Sequence, residues 1–277
     1  MSLEGTQYFL GNEEIIQSYV GEDPVLVDPK LNIPRPTGSV TTTNLLAWFK
    51  ADTYGGSGDW LSYTGSVAAT ASLGGSPSYN GTGFEFTPTD YMQVQPYQSF
   101  NFNDNSEVGF VDKYTIIVFG RYIGAEGDAH GRLLTGGVYK GGTTSVDRNW
   151  TLGTYNDGAP KTQVFYTPAS LGGDGGFIYG PTGAYDTTFR MYAGSAQKAP
   201  TLPYNKFWLN GQLLNTKQAR SIYYGPYSVG VNTGSYATPG GLESNNCEVG
   251  DILIYSAELA TEEIVDIYNF IGPRFGI

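Results

Sequence analysis

Glu126 and Asp128 are carboxylates on alternate residues, the spacing that places two side chains on one face of a β-strand. Hydrolysis of a glycosidic bond needs such a pair of carboxyl groups, one as acid and the other as nucleophile or base. The surrounding segment GAEGDAHG, residues 124–131, is interrupted by glycines and is therefore predicted to be a loop. His130 is the only histidine, which excludes any metal site with two histidines. A histidine general base beside Asp128 would have to be this residue, and a solvated loop residue is the alternative that the sequence favours. We therefore expect no catalytic residues.

Asparagine and acidic residues alternate in NFNDNSE, residues 101–107. Oxygen ligands of this kind suit Ca²⁺, and the candidate ligands are Asn103, Asp104, Asn105 and Glu107. The stretch lacks the glycine and the distal glutamate of a calcium loop, so an Asx-rich turn is the alternative that the sequence favours. No cofactor is required by any motif, and a structural calcium ion stays open.

Sugar binding uses an aromatic platform beside amides or carboxylates. Two stretches offer this combination, and their residues are Trp60 and Tyr63 in GDWLSYTG, and Asp147, Arg148 and Asn149 beside Trp150 in SVDRNWT. Half-buried cover over the core is the favoured alternative for Trp60, whereas Trp48 and Trp208 lie in apolar runs and are predicted to be core. The tyrosine-rich segments 177–189 and 221–230 are predicted to be loops, and offer a protein-binding surface instead.

The charge pattern limits the class of partner. The chain has 277 residues with 26 acidic and 15 basic side chains, a net charge of −11, and no run of Lys or Arg. Nucleic acid is therefore excluded as a partner, because phosphate binding needs clustered cations. No apolar run reaches the roughly 20 residues of a membrane helix. A single cysteine, Cys247, and a start without an apolar leader predict a chain that is assembled in a cytoplasm.

The chain divides into three parts by pattern. Residues 1–28 contain a ten-residue repeat, YFLGNEEIIQ over SYVGEDPVLV, and predict a three-strand β arm. Residues 29–43 are proline-rich and predict a linker, and residues 44–277 read as many short strands with turns between them. The arm needs a partner surface, either its own sandwich or another subunit. Its candidate docking residues are Tyr8, Phe9, Leu10, Ile15, Tyr19, Val20 and Val25.

One segment has helical spacing, TEEIVDIYNFIG near the C-terminus. Thr261 is the predicted N-cap, and Gly272 with Pro273 ends the helix. The apolar residues fall on one stripe that is predicted to pack on the sandwich, namely Ile264, Ile267, Tyr268 and Ile271.

Several motifs, in order, resemble the laminin G-like (concanavalin A-like lectin/glucanase) jelly roll. They are an apolar strand ending in Asp (LLAWFKAD), a strand pair of the form F-x-G-x-x-D-Y (GFEFTPTDYMQVQ, with Thr87 for Gly), a YTI-type central strand, a W-x-LG-x-x-N-DG hairpin (Trp150 to Gly158), an NG turn (FWLNGQLL), and a closing G-D-I-x-I-Y signature (VGDILIYSAELATEEI). The resemblance implies an all-β sandwich with one C-terminal helix. Glucanases of this superfamily carry E-x-D-x-x-E, and Gly131 stands at the second Glu position here.

The N-terminal Y-x-L-G-x-x-x-I repeat is similar to those that open many tailed-phage virion proteins. This resemblance implies a non-enzymatic virion structural protein, tail- or fibre-associated, anchored by its arm in a homo- or hetero-oligomer with other virion proteins. The sandwich would then face host-surface glycan. The alternatives are a capsid decoration protein of the same fold, a bacterial glycan-binding adhesin module, and a glycosidase or lyase.

Overall fold

The computed structural model describes residues 7–10, 13–20, 23–26, 38–95, 113–123, 132–139, 146–155, 162–167, 176–182, 187–197, 204–218, 229–231 and 246–277, with the backbone alone in the first three ranges and in parts of 132–182. Its strands are β1 (Gln7–Leu10), β2 (Glu13–Val20), β3 (Asp23–Leu26), β4 (Leu45–Phe49), β5 (Trp60–Leu61), β6 (Thr70–Gly74), β7 (Ser78–Tyr79), β8 (Phe84–Phe86), β9 (Tyr91–Gln95), β10 (Lys113–Tyr122), β11 (Arg132–Tyr139), β12 (Val146–Tyr155), β13 (Thr162–Thr167), β14 (Gly176–Thr182), β15 (Arg190–Gln197), β16 (Tyr204–Leu209), β17 (Gln212–Gln218), β18 (Gly230–Val231) and β19 (Cys247–Tyr255).

The N-terminal arm contains a separate three-stranded antiparallel sheet in the order β1-β2-β3. The register pairs Leu10 with Glu13 and Val20 with Asp23, so two residues separate each pair of strands. The ten-residue repeat therefore corresponds to a β-meander, as the pattern predicted.

The remaining strands form two antiparallel sheets of eight strands each. The first sheet has the order β17-β16-β15-β10-β19-β8-β7. β8 pairs with the first residues of β19, 247–249, and β4 pairs with its last residues, 252–255. The second has the order β14-β13-β12-β11-β18-β9-β6-β5. This confirms the predicted all-β sandwich. Strand β14 covers Gly176–Thr182, so the prediction of a loop over 177–189 was wrong for its first residues.

The alternation of β10 shows why the sandwich has two apolar layers. Ile116 and Val118 point into the main core between the sheets, whereas Ile117 and Phe119 point to the outer face of the first sheet. A strand that is buried on both faces carries an apolar run rather than alternating polar residues. The outer layer is covered by the C-terminal helix.

Helix α1 (Thr261–Ile271) is followed by a 3₁₀ turn at Gly272–Phe275. Ile264, Ile267 and Ile271 are buried on the outer layer and Tyr268 packs beside them, which confirms the predicted stripe. The N-cap is Ala260 and not Thr261, because the Glu263 carboxylate accepts the Ala260 N–H at 2.8 Å. None of the described helices is long and apolar enough to cross a membrane.

Residues 38–43, which the sequence assigned to the linker, pack on the sandwich. A side chain at Gly38 would overlap the helix backbone, Val40 joins the outer layer, and the Thr41 carbonyl accepts the Tyr255 hydroxyl at 3.0 Å. The sandwich unit therefore starts no later than residue 38.

Two motifs of the resemblance have clear structural roles. Asn210 and Gly211 have φ of 49° and 79°, the left-handed pair of a two-residue hairpin between β16 and β17. The Asn210 side-chain oxygen also accepts the Met191 N–H at 2.9 Å, so the turn is attached to β15. Thr87, which replaces the motif glycine, donates through Oγ1 to Asp90 Oδ2 at 2.7 Å, a bond that glycine cannot make.

Candidate functional site

The most developed surface site of the described residues lies where β4 ends. β4 is an apolar strand through Phe49, and the chain then enters a short 3₁₀ turn, Ala51–Thr53, instead of continuing as strand to Asp52. The turn brings Lys50 and Asp52 together, with Nζ and Oδ2 3.2 Å apart. The sequence alone gives no signal that Lys50 and Asp52, at the end of a predicted strand, belong to a site.

The segment 60–67 closes this side of the sandwich because it bonds to both sheets. Trp60 and Leu61 pair with β6 of the second sheet, and the following residues run along the free edge of β4. The Tyr63 N–H donates to the Trp48 carbonyl at 2.7 Å, and the Ser66 N–H donates to the Leu45 carbonyl at 3.0 Å. This pairing fixes the backbone on which Tyr63 stands.

Gly65 allows that close approach. Its φ is 140°, a region that other residues rarely adopt, and a Cβ there would overlap the Leu46 carbonyl. Any larger residue would lift the segment from the edge of β4.

Tyr63 presents the exposed aromatic ring of the site. The side chain is 55% exposed, and its ring meets the buried Trp48 ring edge to face, with centroids 5.4 Å apart. The Lys50 ammonium lies 5.2 Å from the Tyr63 centroid and 5.8 Å from that of Trp48, within cation–π range. The ring is thus held from one side and accessible from the other.

Arg274, from the 3₁₀ turn after α1, completes the group. Its Nη2 lies 3.2 Å from Asp52 Oδ2, and its Nη1 donates to Asp251 Oδ2 at 2.8 Å. We call Trp48, Lys50, Asp52, Tyr63 and Arg274 the Tyr63 cluster. The cluster is a chain of contacts from the Tyr63 ring through Lys50 and Asp52 to Arg274, and it contains two cations and one exposed carboxylate.

Asp251 of β19 is the buried anchor under this cluster. Its Oδ2 accepts the Trp48 indole N–H at 2.9 Å, and its Oδ1 accepts the Ala51 N–H at 2.9 Å. Burial raises the pKa of Asp251, while the Arg274 charge and the donated hydrogen bonds oppose that rise. Every partner is a donor, so the arrangement suits the ionised carboxylate.

A second polar network lies on the same outer face, between β8, β10 and β19. The buried Glu248 carboxylate receives Arg121 through Nε and Nη2, both at 2.6 Å. Asn80 donates its amide to Glu248 at 2.8 Å and to Glu85 at 2.9 Å. The two carboxylates lie directly opposite each other on neighbouring strands. Arg121 neutralises Glu248, and the Asn80 amide is hydrogen-bonded to both carboxylates, so we interpret the network as structural.

The predicted sugar-binding residues have different outcomes. Trp60 is fully buried, with its ring packed on Phe49 and Phe84 and its N–H donating to the Lys50 carbonyl at 3.3 Å, so it offers no face to a ligand. Trp60 as a ligand residue was therefore wrong, and the favoured alternative, half-buried cover, understated its burial, because the Gly/Ser/Asp-rich context hid a short strand. Tyr63 is exposed, as a binding platform must be. Trp48 and Trp208 are buried as predicted.

Asp147, Arg148 and Asn149 lie in strand β12, and only their backbone is described. β12 and β5 are separated by four strands in the second sheet, which corresponds to roughly 24 Å at about 4.8 Å per strand spacing. The structure therefore does not bring the two predicted aromatic stretches into one site.

Other predictions fall outside what the structure describes. They are the carboxylates Glu126 and Asp128, the metal candidates Asn103, Asp104, Asn105 and Glu107, and the side chains of the arm residues Tyr8, Phe9, Leu10, Ile15, Tyr19, Val20 and Val25. Within the part of the chain that is described, no group of three His, Cys, Asp or Glu side chains could hold a metal ion.

The sequence matches no family model and no curated protein. Solved structures do match. Domain 4 of AbnA, a GH43 extracellular arabinanase from Geobacillus stearothermophilus, in complex with arabinotriose, has a TM-score of 0.56 at 12% identity, covering 81% of this chain and 98% of that domain. The binding domain of botulinum neurotoxin DC, in complexes with rat synaptotagmin II and with SialylT, has TM-scores of 0.55 and 0.54 at 12% and 11% identity, covering 83% of this chain and 52% of that one.

Trypanosoma rangeli sialidase is also similar, with a TM-score of 0.53 at 14% identity, covering 83% of this chain but 33% of the sialidase. The chain thus spans a third to a half of two of these proteins. At such identities the likeness shows the fold, a concanavalin A-like β-sandwich, as the motif resemblance predicted.

Proposed function

We propose that this chain is a non-enzymatic glycan-binding protein and that the Tyr63 cluster is its binding site. The observation that carries the proposal is the Tyr63 ring, 55% exposed and held against Trp48, beside the charged groups of Lys50, Asp52 and Arg274.

A sugar ring matches this arrangement chemically. Its C–H face is apolar and packs on an aromatic ring, while its hydroxyls both donate and accept hydrogen bonds at the ring edge. The Asp52 carboxylate accepts from hydroxyls, and Lys50 and Arg274 donate to them. Because Asp52 is already bonded to both cations, these groups are held in place before a ligand arrives, which lowers the entropic cost of binding.

The structural neighbours support the same class of ligand. The arabinanase domain is described with arabinotriose and the neurotoxin domain with SialylT. The neurotoxin domain is also described with the protein synaptotagmin II, so the fold by itself does not select glycan over protein. Our preference for glycan therefore depends on the chemistry of the Tyr63 cluster.

The finer part of the proposal concerns where the chain works. We propose a tailed-phage virion protein, associated with tail or fibre, in which the β1–β3 arm docks on other virion proteins and the sandwich faces host-surface glycan. The support is the N-terminal repeat and its three-stranded sheet, which is marginal without a partner surface. A capsid decoration protein, a bacterial adhesin module, and a glycosidase or lyase are the alternatives.

The binding site is tested with purified full-length chain on a glycan array, followed by calorimetry on any hit. Tyr63→Ala is expected to weaken binding at least about ten-fold, as for an aromatic hot-spot residue. The matched control is Phe270→Ala, which removes another exposed aromatic ring, 48% exposed, from helix α1. Equal losses in the two variants, or an array without any hit, would contradict the proposal.

The location is tested by labelling the chain in intact particles, with and without residues 1–28. Label on the tail that is lost when residues 1–28 are deleted supports the virion assignment. A full-length chain that stays monomeric and binds no particle contradicts it. Polysaccharide turnover that is lost in Glu126→Gln with Asp128→Asn would establish an enzyme instead.

A further inference from the structure

A polar groove adjoins the Tyr63 cluster along the edge of β4. It has a volume of about 480 Å³ and is lined by Thr42, Asn44, Leu45, Thr64, Gly65, Ser66 and Ser256. That volume falls within the usual range of small-molecule sites, roughly 300–1,000 Å³. Four of its residues carry hydroxyl groups, and none carries a charge.

The groove and the Tyr63 ring are consecutive along one piece of backbone. Tyr63 is followed by Thr64, Gly65 and Ser66, which line the groove, while hydrogen bonds to β4 hold both ends of this stretch. The Tyr63 ring and the polar groove are separate surfaces of this segment, so a ligand that occupies both at once is expected to have more than one sugar unit.

The groove and the Tyr63 ring adjoin the same strand. Leu45, which lines the groove, and Trp48, which supports Tyr63, both belong to β4 and to the outer apolar layer rather than the core between the sheets. The two features therefore lie along one strand edge, where a single ligand can contact both.

The charges disfavour an acidic ligand. Lys50 and Arg274 are balanced by Asp52 and by the buried Asp251, so the site offers no uncompensated cation. The whole chain carries −11, which repels anions at long range. Serine and threonine hydroxyls, by contrast, match neutral sugar hydroxyls as both donors and acceptors.

We infer that the ligand is an uncharged oligosaccharide, with one unit packed on Tyr63 and the adjoining units bound by the hydroxyls of the polar groove. This inference rests on the proposed function, and adds to it the length and the charge class of the ligand. Part of the groove is pre-ordered, because the Asn44 carbonyl accepts both the N–H of Ser256 at 2.9 Å and its hydroxyl at 3.3 Å.

The test compares three probes on the full-length chain by NMR titration: a neutral trisaccharide such as arabinotriose, its constituent monosaccharide, and a sialylated trisaccharide. The variants are Thr64→Leu, in the groove, and Thr216→Leu, the same change on an exposed residue of the edge strand β17. Neither substitution removes a backbone hydrogen bond.

We expect the neutral trisaccharide to bind more tightly than the monosaccharide, and Thr64→Leu to weaken the trisaccharide roughly five-fold, as for a lost hydrogen bond. Thr216→Leu is expected to leave the affinities for the trisaccharide and the monosaccharide unchanged. Raising the salt concentration is expected to change these affinities little, because binding neutralises no net charge. Equal affinity for monosaccharide and trisaccharide, equal effects of the two variants, or preference for the sialylated probe overturns the inference while glycan binding stands. Binding of no glycan in arrays and titrations refutes the proposed function itself.

Discussion

Replacement of Asp251 by alanine tests whether this buried carboxylate organises the C-terminal turn and the end of β4. In the wild type it accepts the Trp48 indole N–H, the Ala51 N–H and Arg274. Asp251→Ala leaves the first two as buried donors without an acceptor, at about 1–3 kcal/mol each. Arg274 is 27% exposed and keeps Asp52, so we add nothing for its charge. The expected loss is about 4 kcal/mol of the free energy of unfolding.

The assay is urea denaturation followed by the fluorescence of the buried tryptophans, with thermal unfolding as a second measure. A loss of 4 kcal/mol corresponds to a fall in Tm of roughly 8–16 °C for a domain of this size class. The matched control is Asp52→Ala, which removes a 42% exposed partner of the same arginine and is expected to cost less than about 1 kcal/mol. If both variants lose the same stability, the buried hydrogen bonds of Asp251 do not stabilise the fold.

Three further predictions concern other elements. Burial alone would raise the pKa of Asp90, but hydrogen bonds from Ser76 and Thr87 outweigh burial and hold the pKa below its ordinary value. The stabilisation of the fold by ionised Asp90 is therefore complete above the unfolded pKa of about 3.9 and is lost as pH falls through the lower folded pKa. Below about pH 4, the urea midpoint should therefore fall more in the wild type than in Asp90→Asn. Asn210→Ala should cost about 1–2 kcal/mol in urea unfolding, because alanine disfavours positive φ and loses a hydrogen bond, whereas Asn210→Gly should cost less. Gly250→Ala should cost about 1–3 kcal/mol, since a Cβ would overlap the Phe275 ring, and pairing it with a smaller residue at Phe275 should recover part of the loss.

The elements that the sequence predicts well are those whose signal is local. The Asn210-Gly211 turn needs only two residues with positive φ, and the α1 stripe needs only the 3.6-residue period of one apolar face. The last part of β19, residues 252–255, is readable because it is buried on both faces and therefore carries an apolar run, ILIY. In each case one stretch of chain contains the whole physical reason for its structure.

The short strands lack such a signal. β5 and β7 are two residues long, and β6 is a small, polar stretch, TASLG, so their strand state comes from the partner strand and not from their own composition. Trp60 illustrates the consequence. Its Gly/Ser/Asp-rich neighbours predict a loop in which Trp60 is half-buried, yet pairing with β6 places its ring fully in the core.

The candidate site was only partly predictable for a related reason. Tyr63 is visible in the sequence as an aromatic residue in a polar stretch, but Lys50, Asp52 and Arg274 are single charges at the ends of separate elements. They meet because Asp251 holds both the turn after β4 and the turn after α1, through the Ala51 N–H and the Arg274 guanidinium. Asp251 itself is readable as the Asp of the VGDILIY signature, yet the signature says nothing about what that carboxylate accepts.

Substitutions at Asp251 and at Tyr63 distinguish an effect on the fold from an effect on binding. Asp251 belongs to a motif of the fold and is buried, so its loss should affect stability first, whereas Tyr63 is exposed and its loss should affect binding first. If Tyr63→Ala retains wild-type unfolding while glycan affinity falls, the exposed half of the Tyr63 cluster serves recognition and not packing. Should Tyr63→Ala instead unfold like Asp251→Ala, the edge-to-face contact with Trp48 would be part of the core, and the glycan site would have to be sought elsewhere on the sandwich.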